Sequence, residues 1–189
     1  FMLFHFDQLS GADRYHLITQ TVTPRPIAWI MTRNENLSYN LAPFSFFSAI
    51  SPDPALLVVS IGNKSAERQK DTKYNLIREQ ECVLHIPSAE QVEEVNLSAA
   101  TLDYGESELA KAELSLADFT AKLPRVAGAK VAMHCRLYDL QPIGQSSFSA
   151  CYLEILSLHV DDDILRQENG RNIIDSAQLN PLSRLGGND

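Results

Sequence analysis

The sequence predicts a mainly β protein, an antiparallel β-barrel with short helices. Stretches rich in β-branched and aliphatic residues recur along the chain and are bounded by turn residues, as β-strands are. Two of these stretches, residues 27–32 and 37–41, flank the polar turn 33–36 and form a predicted hairpin. The strands do not alternate with long helical segments, as βαβ units would require, so an antiparallel arrangement is favoured.

The first half of the chain has the clearest element boundaries. A helix over about residues 11–21 begins after Ser10, a candidate N-cap, and ends before the prolines of 23–26, which remove backbone donors. A second helix over about residues 73–80 has Asp71-Thr72 as its predicted cap. The predicted strands of the whole chain cover residues 27–32, 37–41, 56–61, 82–86, 130–140 and 149–160.

The second half is less regular. Ser88 is predicted to cap a short helix whose glutamates lie near its positive end. Residues 97–125 are predicted to be helical or irregular. The two long stretches 130–140 and 149–160 are predicted to be antiparallel neighbours.

Length and composition favour one domain over residues 1–189. The chain has 44% hydrophobic and 21% charged residues, which is ordinary for a globular protein. Its formal net charge of −8 makes a nucleic-acid partner unexpected, because phosphate-backbone binding needs a basic surface. No apolar run approaches the ~18 residues of a membrane span, so no membrane partner is expected either.

The cysteines and histidines are interpreted as structural. An odd cysteine count, no Cys-x-x-Cys motif and no secretory signal favour reduced thiols in a cytoplasmic protein, with Cys135 and Cys151 in the core. The histidines have no ligand-like spacing and are expected to be hydrogen-bonded structural residues. The acidic run 161–163 is interpreted as a solvated turn. No tightly bound metal is therefore expected.

Several common signatures are absent from the sequence. It contains no Gly-x-Gly-x-x-Gly, Walker loop, His-Glu-x-x-His or Gly-x-Ser-x-Gly pattern. These absences argue against a Rossmann dehydrogenase and against a P-loop enzyme.

Three polar segments remain as candidate binding residues. Arg25 stands between two prolines, where its guanidinium could bind phosphate or carboxylate or simply lie on the surface. Residues 40–48 hold three phenylalanines, one proline and small polar residues, and could form a platform for a flat ring or a hydrophobic plug. Lys70-Asp71-Thr72 begins a helix, where free N–H groups, the helix dipole and a lysine suit a phosphate; a plain capped helix is the alternative.

Taken together, these segments resemble the flavin reductase-like family with the FMN-binding split-barrel fold. The order and spacing of the matching residues fit over nearly the whole chain. One departure lies at residues 37–39, before Asn40, where many relatives have a glycine in the turn. The matching segments are 23–30, Asn-Leu-Ala-Pro-Phe-Ser-Phe-Phe at 40–47, 51–54, Lys70-Asp71-Thr72 with Asn75, and Arg-Leu-Gly-Gly at 184–187.

The resemblance implies a six-stranded antiparallel split barrel that forms a homodimer, with FMN near the subunit interface. It places residues 42–45 along the isoalloxazine ring, and it places Arg25, Thr32, Lys70 and Thr72 near the phosphate and the ribityl chain. The cofactor-binding set that it implies is Arg25, Pro26, Thr32, Asn40, Ala42, Pro43, Phe44, Ser45, Ser60, Lys70, Asp71 and Thr72.

The activity implied by the resemblance is reduction of flavin by NAD(P)H, with hydride passing to flavin N5. The cofactor carries this chemistry, so no catalytic side chain is assigned. FMN is preferred over FAD because nothing in the sequence resembles an adenine or pyrophosphate site. Two alternatives stay open: a flavoredoxin-like electron carrier without its own nicotinamide site, and a reductase or oxygenase component that acts on an unknown small molecule.

Overall fold

A computed structural model describes residues 1–186, and the chain in it is built mainly from antiparallel strands. Gly187, the last residue of the segment 184–187, lies outside the described residues. The helices are α1 (Gly11–Thr21), α2 (Asp71–Glu79), α3 (Val92–Leu97) and α4 (Ser176–Leu179), with 3₁₀ turns at Phe6–Gln8, Ala89–Gln91 and Asp162–Ile164. The strands are β1 (Arg25–Pro26), β2 (Ala28–Arg33), β3 (Tyr39–Phe44), β4 (Phe47–Pro52), β5 (Ala55–Ile61), β6 (Glu81–Ile86), β7 (Leu116–Ala117), β8 (Arg125–Val126), β9 (Val131–Pro142), β10 (Ser149–Val160), β11 (Leu165–Glu168), β12 (Arg171–Ile174) and β13 (Ser183–Arg184).

One large sheet organises the fold. It has seven strands in the order β3-β2-β6-β9-β10-β5-β4, and every neighbouring pair is antiparallel. The two edge strands, β3 and β4, are separated in the chain only by Ser45 and Phe46. Within the described residues no ladder of hydrogen bonds joins β3 to β4, although the amide of Ser60 on β5 donates to the carbonyl of Phe46 at 2.8 Å.

The predicted mainly β, antiparallel class is confirmed. The main sheet has seven strands instead of the six implied by the resemblance. The additional strand is β4, which begins inside the segment 40–48 that the sequence suggested was a loop. Most of that segment is strand on either side of the short break at Ser45 and Phe46, because β3 pairs with β2 and β4 pairs with β5.

The central strands are buried on both faces. Along β2, Ala28 and Ile30 pack into one hydrophobic core while Trp29 and Met31 pack into another. Consecutive side chains of a strand point to opposite faces of the sheet, so β2 and β6 each separate the two cores. We call the first the inner core and the second, which lies under residues 95–132, the outer core. The three cysteines are free and buried, and all belong to the inner core, which confirms the interpretation of Cys135 and Cys151.

Several local expectations hold, one is wrong, and one hairpin was missed. Ser10 caps α1, with its side chain accepting from the amide of Asp13, and Ser88 forms a capping box. The predicted cap of the second helix is wrong: Lys70 occupies the N-cap position, and Asp71 and Thr72 are the first helical residues. The hairpin β11–β12 was not predicted, because its exposed strands carry little hydrophobic signal.

The turn between β2 and β3 explains one departure from the family pattern. Leu37 has a φ of 68°, in the left-handed region that favours glycine. The family resemblance leads to an expected glycine in this segment. The side chain of Leu37 is 68% exposed, so it takes no part in either core. None of the described helices is both long and apolar enough to cross a membrane.

Candidate functional site

A cleft of about 590 Å³ lies where β3, the start of α2 and the segment 98–108 meet. Small-molecule sites are typically clefts of this size. The fold brings nine of the twelve predicted cofactor-binding residues together in its lining. These nine are Asn40, Ala42, Pro43, Phe44, Ser45, Ser60, Lys70, Asp71 and Thr72.

The other three predicted residues are not part of the lining. Pro26 pairs through its backbone with Ser183 of β13. Thr32 is fully buried behind the cleft. Arg25 is 5% exposed, and its Nη1 donates to the carbonyls of Thr19 and Val22 at the end of α1. In this arrangement Arg25 anchors a helix end, where a cation is favoured by the free carbonyls.

A neutral hydrogen-bond network fixes the polar wall of the cleft. The amide nitrogen of Asn40 donates to the hydroxyl of Thr72 at 2.9 Å and to that of Thr32 at 3.3 Å. Asn75 on α2 donates to Thr32 at 3.1 Å and to Asn34 at 2.8 Å. The network ties the first turn of α2 to the β2–β3 hairpin, so the cleft-lining Asn40 and Thr72 are held in place before any ligand arrives.

Lys70 supplies an uncompensated positive charge at this wall. Its ammonium nitrogen lies 5.8 Å from the centre of the Phe44 ring, and it forms no hydrogen bond or ion pair with a described residue. Burial, and then the charge of Lys64, lower the pKa of Lys70. Asp71 does not neutralise it, because Lys64 Nζ holds that carboxylate at 2.7 Å. The start of α2 therefore presents free N–H groups and a free ammonium to the cleft, which suits an anion.

The opposite wall is irregular and carries a buried carboxyl that sequence reasoning missed. Glu108 is 4% exposed, and its Oε2 accepts the amide of Leu41 on the free edge of β3 at 2.9 Å. Burial raises the pKa of Glu108, with a further contribution from Asp71. Ser107 donates to the carbonyl of Tyr39 at 2.5 Å. These side chains satisfy backbone groups at the edge of β3, and no periodic pattern in 97–125 could have indicated that.

The far end of the cleft is aromatic. The rings of Tyr15 on α1 and Phe46 lie 5.9 Å apart, and Phe148, from the loop before β10, lies 6.1 Å from Phe46 in a stacked arrangement. Arg184 on β13 also lines this cleft. Only Phe46 fell within a segment that the sequence suggested for ligand contact. Tyr15 and Phe148 come from distant parts of the chain, and only the folded structure brings them together.

His85 and His134 lie outside the cleft lining, and each has a hydrogen-bond partner. His85 is fully buried, and its ring accepts the amide of Val126 through Nε2 at 3.1 Å and faces the carbonyl of Trp29 through Nδ1 at 2.9 Å. Burial lowers the pKa of His85 to about 4. His134 pairs with Glu81 at 2.9 Å. The described residues contain no cluster of three His, Cys, Asp or Glu side chains that could hold a metal ion.

The chain belongs to the family of the flavin reductase like domain, which matches residues 20–174. The Bacillus subtilis protein YwrF is 35% identical to it over 98% of this chain and 92% of YwrF. Among solved structures, nitrilotriacetate monooxygenase component B from Bacillus cereus has a TM-score of 0.91 and 30% identity, covering 100% of this chain and 94% of its own. The 2-nitrobenzoate 2-nitroreductase NbaA from Pseudomonas fluorescens has a TM-score of 0.88 and 26% identity, covering 100% of this chain and 90% of its own.

Family membership supports a flavin cofactor, and the residues of the cleft fit one. The segment Ala42 to Ser45, at the end of β3, offers a largely apolar wall beside the polar network. A flavin mononucleotide combines a flat ring, a chain of hydroxyls and a phosphate. The cleft offers in turn an apolar strand, the hydroxyls and amides around Asn40 and Thr72, and the free ammonium of Lys70.

Proposed function

We propose that the protein is an FMN-binding oxidoreductase that takes reducing equivalents from NAD(P)H. The observation that carries the proposal is the free ammonium of Lys70 at the start of α2, in the same cleft as the segment Ala42 to Ser45. Family membership, together with the likeness to a monooxygenase component and a nitroreductase, supports oxidoreductase chemistry.

The proposed roles follow from the chemistry of each wall. Lys70, the N–H groups of α2 and Thr72 hold the phosphate, while Asn40, Ser45 and Ser60 offer polar contacts to the ribityl chain and the ring edge. The stretch from Ala42 to Phe44 lies against the ring and excludes water. When bound, FMN supplies the redox chemistry, accepting hydride at N5 from a nicotinamide nucleotide.

Substitution of Lys70 tests the phosphate role. A hydrogen bond to a charged group contributes roughly 1.5–3 kcal/mol, so Lys70→Ala should weaken FMN binding about tenfold to a hundredfold. Riboflavin, which lacks the phosphate, should lose little affinity. Isothermal titration calorimetry with both flavins measures this, and Lys111→Ala, at an exposed lysine outside the cleft, is the matched control. Equal losses for FMN and riboflavin would assign Lys70 to the fold instead of the phosphate.

The electron donor is tested separately. Stopped-flow absorbance of the FMN-loaded protein should show bleaching of the flavin band on mixing with NADH or NADPH. If both nucleotides leave the flavin oxidised while a ferredoxin-like donor reduces it, the protein is an electron carrier of the flavoredoxin kind, and the reductase proposal fails.

We also propose that the protein forms a homodimer in the cytoplasm. Ile50 on β4 and Leu156 and Leu158 on β10 are 47%, 48% and 51% exposed, and apolar side chains of this size on exposed strands suit a contact with a second copy. Light scattering should give twice the chain mass. A monomeric mass with full FMN occupancy would contradict the dimer without affecting the cofactor proposal.

A further inference from the structure

The aromatic end of the cleft is built differently from the end assigned to the flavin phosphate. Tyr15, Phe46 and Phe148 form a row, with ring centres 5.9 and 6.1 Å apart along it. The row is accessible: Tyr15 is 52% exposed, and the other two rings are half-buried. None of the three belongs to the described inner or outer core. These rings therefore offer stacking surface to something other than the protein interior.

A close approach in the backbone makes room for this row. Gly62, at the end of β5, also lines the cleft, and a Cβ there would stand 3.2 Å from the ring of Phe148. Such a contact is tighter than most packed Cβ contacts, so a larger residue at position 62 would push against the ring of Phe148. The position of Phe148 thus depends on a second chain segment as well as on its own loop.

Two arginines border the row, and no acidic residue in the described part of the chain forms an ion pair with either. Arg25 and Arg184 are directly opposite each other in the pair β1–β13, so their side chains leave the same face of the two strands. The guanidinium of Arg25 lies 5.9 Å from the centre of the Phe46 ring. Arg184 is exposed and lines the cleft. Within the described residues neither guanidinium forms an ion pair, although the chain carries 24 acidic residues.

We propose that Tyr15, Phe46 and Phe148, with Arg184 at their border, form a second binding site in the cleft for a planar aromatic ring that carries a negative charge. The rings supply a stacking surface, and Arg184, next to the buried charge of Arg25, supplies the attraction for the anionic group. This inference deepens the proposed function and rests on it for a flavin in the same cleft, since the second ring would be the partner of electron transfer. The same combination of an aromatic ring and a negative charge is offered by a free aromatic carboxylate and by a nicotinamide nucleotide, in which the adenine supplies the ring and the pyrophosphate supplies the charge.

The test uses 2-naphthoate and its neutral analogue 2-naphthamide as probes. Calorimetry on the protein with and without FMN measures both affinities. Arg184→Gln should weaken 2-naphthoate about tenfold and 2-naphthamide less than about twofold, because only the acid uses the charge. Tyr15→Ser should weaken both probes roughly threefold to tenfold, because both use the ring. Tyr15 is exposed, so this variant keeps the fold, and Arg171→Gln, an exposed arginine of β12, is the matched control.

The FMN affinities of the same variants separate this site from the flavin site. They should stay at the parent value, whereas Lys70→Ala should weaken FMN and leave 2-naphthoate binding unchanged. A selective loss of FMN over riboflavin in Arg184→Gln would mean that Arg184 holds the flavin phosphate, and competition between 2-naphthoate and FMN would mean that the row is the flavin platform. Either result overturns the second site, as does the absence of 2-naphthoate binding at millimolar concentration. Failure of FMN to bind would contradict the proposed function. The probe titrations of the flavin-free protein would still show whether the second site exists.

Displacement of 2-naphthoate by nicotinamide nucleotides distinguishes the two possible natural ligands. If NADH or NADPH displaces 2-naphthoate and is itself weakened by Arg184→Gln, the site takes the nicotinamide nucleotide. If neither nucleotide displaces the probe, the site takes a free aromatic acid. Both results support the site and differ only in the ligand that they assign to it.

Discussion

The two faces of strand β2 each carry a buried polar network, and the two networks differ in chemistry. On one face, Thr32 receives hydrogen bonds from Asn40 and Asn75 at 3.3 and 3.1 Å, within a set of neutral amides and hydroxyls. On the other face, the indole of Trp29 donates to Ser98 at 2.8 Å, and the carbonyl of Trp29 meets the ring of His85 at 2.9 Å. The first network contains no titratable group, whereas the second depends on one.

The difference reflects what each network holds in place. The Thr32 network joins two regular elements, the β2–β3 hairpin and α2, whose backbones already satisfy their own hydrogen bonds. The His85 network joins the sheet to short elements: to Ser98 at the end of α3 and to the amide of Val126 in the two-residue strand β8. Elements this short leave backbone donors unpaired, and a buried unpaired donor costs free energy unless a side chain accepts its hydrogen bond. The ring of His85 does so for Val126.

The largest loss of stability is expected from removing Trp29, which packs into the outer core. Trp29 has no exposed surface, so Trp29→Ala leaves a cavity and should lower the free energy of unfolding by about 3–5 kcal/mol. Urea unfolding monitored by circular dichroism measures the loss. Ile173→Ala, at a residue that is 39% exposed on β12, is the control and should change stability by less than about 0.5 kcal/mol. A loss below about 1 kcal/mol for Trp29→Ala would show that the outer core does not support the sheet.

The second effect is a pH dependence of the free energy of unfolding, which should come from the His85 network and not from the Thr32 network. The fold holds His85 neutral with a pKa of about 4, below the ordinary value of 6.5. As the pH falls, His85 takes up a proton in the unfolded chain before it does so in the folded one. The contribution of neutral His85 to stability is therefore fully present above about pH 6.5 and is lost as the pH falls toward about 4. A shift of this size corresponds to about 3 kcal/mol.

His85→Gln isolates that contribution from the titration of carboxylates. A glutamine amide can donate to the carbonyl of Trp29 and accept from the amide of Val126, but it does not titrate. The free energy of unfolding should fall more steeply between pH 7 and pH 4 in the parent than in the variant. Parallel pH profiles for the two proteins would contradict a buried neutral His85.

The smallest effect is expected at the neutral network. Thr32→Val keeps the shape of the side chain and removes one hydroxyl acceptor, while Asn40 and Asn75 each keep one other partner. The free energy of unfolding should drop by about 1 kcal/mol, and by the same amount at pH 4 and pH 8. Urea unfolding at the two pH values checks this. A pH-dependent loss would mean that a titratable group takes part in the network and would remove the contrast between the two faces.

Local sequence patterns were sufficient to predict most of the long strands and the residues at one end of the cleft. The strands β2, β5, β6, β9 and β10 were predicted because their aliphatic runs are long and are bounded by turn residues. The polar end of the cleft was predicted because its residues are contiguous: Asn40 to Ser45 and Lys70 to Thr72 are short unbroken segments that match the family. The start of α2 was placed two residues too late, at Lys73 instead of Asp71, since helix boundaries depend on backbone angles that composition indicates only weakly.

The rest of the site depends on contacts between residues that are far apart in the chain. Glu108 meets Leu41 across 67 positions, and Phe148 and Tyr15 meet at Phe46 from opposite ends of the chain. No periodicity connects such residues, and a lone glutamate or phenylalanine in an irregular segment has no signal of its own. For Arg25 the sequence left phosphate or carboxylate binding and a surface position both open. The fold buries the residue and places its Nη1 against the carbonyls of Thr19 and Val22, a contact that no local pattern indicates.

The sequence by itself determined the antiparallel β class, the family and the contiguous segments that form the polar end of the cleft, because hydrophobic alternation and short motifs are local properties of the chain. The tertiary structure alone decided that β4 joins the sheet, that irregular residues 98–108 form the second wall, and that Tyr15, Phe46, Phe148 and Arg184 gather at one end. Those outcomes are set by edge strands that need hydrogen-bond partners and by side chains that pack across long sequence separations, and neither requirement leaves a periodic trace in the sequence.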